Sequence, residues 1–108
     1  MSIPDKIIII GREFAVKQVE SHKKAGGGTG DWGKGEIVIY TGKGKSVREY
    51  YHTLFHEADE LLAVGRNEWF TSPTCEIKIV QGHDVFNSRA DLFVHLLSAI
   101  LKTHGIEI

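Results

Sequence analysis

A small α+β domain is the fold class this sequence predicts, and two observations carry that prediction. The hydrophobic period changes along the chain, from short β-branched runs before residue 45 to helical spacing from Ser46 onward. Glycine is concentrated between the short-period segments, where it marks turns. The expected layout is a set of N-terminal antiparallel β-strands, a long helix, a short strand and a C-terminal helix, in one domain over residues 1–108.

Each element has its own reason. "KIIIIGREFAVKQVES" (Lys6–Ser21) holds two apolar runs broken at Gly11–Arg12, which reads as strand, tight turn, strand. In the second run Phe14, Val16 and Gln18 share one face, against Ala15, Lys17 and Val19 on the other. Six glycines fall between Gly26 and Gly35, and this density is expected to exclude a regular element because glycine loses the most backbone freedom on ordering. "EIVIY" (Glu36–Tyr40) reads as a third strand, followed by the Gly/Lys loop "TGKGK". On a helical wheel Leu54, Phe55, Ala58, Leu61 and Leu62 form one apolar arc. Ser46 with Glu49 three residues on has capping-box spacing, and Gly65 is the expected stop. Residues 66–75 read as loop, "CEIKIV" as a short alternating strand, and "VFNSRADLFVHLLSAILKTHG" as a final amphipathic helix closed by Gly105.

Composition narrows the function classes. The chain has 108 residues, 42% hydrophobic and 25% charged, with a formal net charge of -1. No surplus of Lys and Arg is present to neutralise phosphates, so nucleic-acid binding by bulk charge is not expected. Cys75 is the single cysteine, which excludes an internal disulfide and a thiolate metal cluster. The longest early apolar run is Ile7–Ile10, far short of the roughly 20 residues of a bilayer span. A soluble, cytoplasmic protein with no membrane segment is therefore expected. The glycine loops do not read as nucleotide cradles. "GTGDWGKG" has Gly35 where a phosphate loop needs Ser or Thr and precedes a strand, and "TGKGKS" has Ile39 in place of the required first glycine. Trp32 in the first loop either lines a cleft or covers the core edge.

Chemistry is concentrated in "YHTLFHEADE" (Tyr51–Glu60), where His52, His56 and Glu60 recur every four residues and stack on neighbouring helical turns. Zinc takes three protein ligands from His nitrogen and carboxylate oxygen, leaving one position open, and His56 with Glu60 has the spacing by which one helix face supplies two. Glu57, displaced by about 100°, stands where a general base beside a metal-bound water would stand. The competing reading of the spacing is a solvated helix face with an i,i+4 His–Glu pair.

"TLFHEADELLAV" (Thr53–Val64) resembles the metal-binding helix of zincin metallopeptidases, and it is most similar to small phage- and prophage-type zincin-like proteins with HExxE in place of HExxH. The resemblance implies a late His as third ligand, and "EIKIVQGHDVF" supplies His83 at the matching position. It therefore implies metal ligands His56, Glu60 and His83, Glu57 as general base, a zinc or other divalent cofactor, and a peptide or protein as substrate or partner. His52 and Asp91 are secondary candidates: His52 as a fourth ligand or a group orienting one, Asp91 as a helix-capping group after Ser88 or a substitute carboxylate. Tyr50, Tyr51 and His52 are candidate oxyanion groups. His95 and His104 read as surface groups.

Two alternatives stand beside a hydrolase. One is a catalytically inactive zincin-like protein that keeps the metal, or only the fold, and acts by binding another protein. The other rests on a second resemblance, of "HEADELLAV" with "RADLFVHLLSAILKTHGI" to the all-α magnesium-dependent nucleoside-triphosphate pyrophosphohydrolases. There Glu57, Glu60 and Asp91 would be the acids, with Ser88 standing where that family needs Glu.

Overall fold

The β-branched runs of the first half build one sheet, and the two helical-period segments pack together on a single face of it. The computed structural model describes residues 2–66, 69–71, 77–79 and 82–108, with 69–71 and 77–79 described as backbone. The elements are β1 (Lys6–Ile9), β2 (Arg12–Glu20), β3 (Gly28–Asp31), β4 (Glu36–Thr41), α1 (Val47–Gly65), β5 (Trp69–Thr71), β6 (Ile77–Ile79) and α2 (His83–Lys102). The chain is thus α+β, with a four-stranded mixed sheet, a separate two-stranded ribbon β5–β6 and two helices. Among the described residues no helix is long and apolar enough to cross a membrane.

The sheet order is β1-β2-β4-β3. β1 pairs with β2 and β3 pairs with β4 antiparallel, as expected, but β2 and β4 run parallel. An all-antiparallel N-terminal sheet is therefore corrected to a mixed one. The reason lies in the side chains: Ile37 and Ile39 of β4 are fully buried, so β4 takes a central position, whereas "GTGD" of β3 has no apolar side chain to bury and goes to the edge. Phe14, Val16, Ile9, Ile37 and Ile39 point to the helix side and form the core with Leu54 and Leu61. The opposite face carries exposed Ile8 and Val19, so one face of the sheet is covered and the other is not.

Three further expectations are corrected. The glycine-rich stretch does hold a strand, because β3 needs no side chains to be held between β4 and α1. Residues 66–75 contain β5, which pairs with β6 through Trp69↔Ile79 and Thr71↔Ile77; Cys75 lies outside the described residues. The hairpin turn is Ile10–Gly11 rather than Gly11–Arg12, with both residues at positive φ (50° and 72°), the twist-matched form of a two-residue turn.

Ser46 caps α1, accepting from the Glu49 backbone N–H at 3.2 Å, while the Glu49 carboxylate reaches Lys45 at 3.5 Å. Gly65 is not a left-handed stop but the last helical residue. A Cβ there would lie 2.8 Å from both Ile10 Cδ1 and Trp32 Cη2, so its role is close approach. Trp32 covers the core edge, with its ring 5.4 Å from Phe14 and the Arg12 guanidinium 5.0 Å from its centroid.

β3 lies along α1 by the same device. A Cβ on Gly28 would come within 2.7 Å of the Val38 carbonyl oxygen and 2.7 Å of Thr53 Cγ2. Alanine in place of a strand glycine ordinarily gains about 0.5–1 kcal/mol; here the immovable backbone oxygen reverses the sign. Gly28→Ala is expected to destabilise the protein by about 1–3 kcal/mol net, read as a lower urea midpoint. An unchanged or higher midpoint would show that β3 is not pressed against α1.

Candidate metal centre

α1 and α2 run antiparallel, and a ladder of polar contacts joins them. His52 Nε2 lies 2.8 Å from Asp91 Oδ1, His56 Nδ1 lies 2.7 Å from Asn87 Oδ1, and Glu60 Oε1 lies 3.1 Å from His83 Nδ1. Each step of four along α1 is matched by a step of four back along α2, as the 3.6-residue turn requires of two facing helices. Beside the ladder, Arg89 donates to Asp59 from Nε at 2.7 Å and from Nη2 at 3.1 Å, a bidentate pair over the Phe86 ring. Phe55 and Phe93 close the far side at 5.7 Å.

His56 is only 6% exposed, and Glu57 and Asp59 are buried as well, so this is not a solvated helix face. His56 Nε2 and Glu60 Oε1 are 2.9 Å apart, as the i,i+4 spacing predicts. His83 joins them from the first turn of α2 rather than from an extended segment, its ring edge-on to His56 at 4.3 Å. One donor atom from each of His56, Glu60 and His83 lies within 4.8 Å of the other two.

That donor set fits a divalent cation. A tetrahedron with bonds of about 2.0–2.1 Å has an edge of about 3.3 Å, close to the 2.9 and 3.1 Å separations from Glu60 Oε1. Hydrogen bonding points the same way. When His56 donates its Nδ1 proton to Asn87 Oδ1, a neutral ring presents a lone pair at Nε2 to the Glu60 oxygen. Two acceptors at 2.9 Å repel unless a proton or a cation stands between them.

Glu57 hydrogen-bonds to Glu60, and its carboxyl pKa is pushed up to about 8. Burial is the largest cause, followed by the charge of Glu60 and the hydrogen bond to it. The two carboxyls therefore share a proton when no cation is bound. β3 passes along this flank of α1: Gly28 abuts Thr53 and Gly30 abuts Leu61, and Thr53 donates to the carbonyl of Gly26 just before the strand at 2.7 Å. Glu57 lies midway between Thr53 and Leu61 on the same line of the helix.

The secondary candidates are placed elsewhere. Asp91 sits within α2, so it does not cap a helix start, and it meets His52 rather than the ligand cluster. His52 lies one turn from the ligand cluster along α1, with its Nε2 turned toward Asp91. Tyr50 exchanges hydrogen bonds with Gly42 and Tyr51 donates to the Ser2 carbonyl, so neither hydroxyl faces the cluster. The sequence reading missed Asn87, Asp59 and Arg89. The signal for Asn87 was present: His83, Asn87 and Asp91 repeat the four-residue spacing of His52, His56 and Glu60. Comparison of the chain with protein-family models, with curated proteins and with solved structures finds no match.

The proton on Glu57 sets a pH dependence. Its folded-state pKa of about 8 lies above the ordinary carboxyl value of 4.5, so its contribution to stability is complete below pH 4.5 and is lost as pH rises toward 8. Metal-free protein is expected to lose several degrees of Tm between pH 5 and pH 8.5 relative to Glu57→Gln, which has no such proton to lose. Parallel Tm–pH curves for the two proteins would contradict a protonated Glu57.

Proposed function

We propose that this chain is a zincin-like metal-binding protein, with a divalent cation held by His56, Glu60 and His83, and that it acts as a metal-dependent hydrolase on peptides. The observation that carries this reading is the convergence of the three donor atoms within 4.8 Å, beside a buried carboxyl that holds a proton. Two His nitrogens and one carboxylate oxygen are the donors of a hydrolytic zinc site.

A bound cation would supply Lewis acidity, polarising a scissile carbonyl and easing deprotonation of a water. Asn87 Oδ1 holds the His56 ring in the tautomer whose Nε2 is free to ligate. Glu57 is the proton carrier: its carboxylate takes a proton from the attacking water and returns it to the leaving amine. Cation charge beside Glu60 favours ionised Glu57, which readies it as a base. Peptide is the favoured substrate class because β3 is the outer strand of the sheet and passes along the Glu57 flank of α1. An outer strand offers its free edge to an extended chain.

A second reading keeps the cation but not the chemistry. Two ligands come from α1 and one from α2, so the ion would also clamp the helices together. The magnesium-dependent pyrophosphohydrolase reading is set aside: the chain has a four-stranded sheet where that family is all-α, and Asp91 stands with His52, apart from Glu57 and Glu60.

Metal analysis and peptide turnover test the reading. Purified protein is expected to take up one equivalent of zinc, and His83→Ala and His56→Ala to lose it. Asn87→Ala should weaken binding by about 10–100-fold. Glu57→Gln should keep the metal while losing at least about 100-fold in turnover of a peptide library. Full metal binding without turnover in either protein selects the clamp; no stoichiometric metal in wild type ends both readings.

A further inference from the structure

α2 carries an apolar arc beyond the one its own domain buries. One side buries Phe86, Ala90 and Val94. The adjoining side presents Val85, Leu92, Leu96 and Ile100 to solvent, with Leu92, Leu96 and Ile100 exposed at 62%, 57% and 59%. Val85, Arg89, Leu92, Leu96 and Ala99 are spaced 4-3-4-3, the seam of one helix packed on another. Arg89 is the single charge in that seam, and it is turned inward to Asp59. Phe93 links the seam to an open apolar groove of about 290 Å³ formed with Ile8, Ile10, Phe55 and Leu62. Singly exposed apolar residues are ordinary, but a continuous patch of this kind marks a contact surface.

We infer that this face is the interface of a homodimer, in which α2 packs antiparallel on α2 of a second copy about a two-fold axis near Leu92 and Phe93. Three features favour a second copy. The seam is self-complementary: about an axis between residues 92 and 93, Val85 faces Ile100 of the other copy and Leu92 faces Phe93, as an isologous contact requires. The helix ends are also complementary, with Asp84 in the first turn and Lys102 in the last, so antiparallel pairing sets acid beside base and opposes the two helix dipoles. The area is sufficient. At roughly 100 Å² for each half-exposed branched or aromatic side chain, the seam together with Phe93 and Ile10 offers about 600 Å² per copy, the lower end of a standard interface. The net charge of -1 sets no long-range repulsion against pairing.

Sedimentation equilibrium and thiol cross-linking test this inference. Wild type is expected to sediment at twice the chain mass at tens of micromolar, and Leu96→Glu at the chain mass, with an unchanged circular-dichroism spectrum because Leu96 is exposed. His95→Glu, on the polar side of α2, should remain dimeric. In a Cys75→Ser background, Leu92→Cys should be joined by a short bifunctional thiol reagent. Ile100→Cys should not, because antiparallel pairing sets the two copies of residue 100 about 22 Å apart along the helices. A monomeric wild type at 100 µM overturns the proposal and assigns the face to a different chain. A dimer indifferent to Leu96→Glu overturns it as well. So does Ile100→Cys joining as fast as Leu92→Cys, which would mean parallel helices. If Leu96→Glu alters the spectrum, Leu92→Lys provides the same test.

Discussion

Two contacts made by buried groups of α1, His56 with Asn87 and Asp59 with Arg89, set how α2 lies on α1, and the candidate site exists only in that register. Sliding α2 by one residue would turn each polar partner by about 100° and put Phe86 or Ser88 in the place of Asn87 against His56. Phe86, Ala90 and Val94 are all buried and differ too much in volume to exchange places, so apolar packing favours the same register. The buried polar groups are less forgiving still, since His56 without Asn87, or Asp59 without Arg89, would bear its desolvation unanswered.

That helix interface is more polar than one chosen for stability. His56, Glu57 and Asp59 are all buried on α1. Asp59 is answered by the two-pronged Arg89, which makes it a satisfied ion pair. Replacing such pairs with well-packed apolar residues often costs nothing or stabilises a protein. A chain that keeps His, Glu, Asn and Asp at this interface spends stability on placement. The remaining strain is local: burial and the neighbouring Glu60 keep a proton on Glu57 until the pH nears 8.

The sheet serves this arrangement from below. Glycines at 28 and 30 let β3 lie directly against α1, with Leu61 and Thr53 filling the space their side chains would have taken. The open edge of the sheet therefore runs beside the buried carboxyls instead of behind a layer of side chains. Gly65, Ile10 and Trp32 anchor the far end of α1 to the β1–β2 turn in the same way.

The faces of the elements and the start of α1 were legible in the chain because they follow from neighbours a few residues apart. Ser46 capping α1, Phe14 and Val16 sharing a face, and His56 with Glu60 on adjacent turns are all local consequences of period and propensity. So was the choice of His83, although that came through likeness to a known motif and not through spacing. What the chain did not disclose was every relation across its length: the parallel β2–β4 pair, the strand within the glycine run, and the meeting of Asn87 with His56 and Arg89 with Asp59. Each depends on which surfaces are left to bury once several elements compete for one core. The residues alone determined which side chains could act together along one helix; only the packing of two helices on one sheet decided which of them meet.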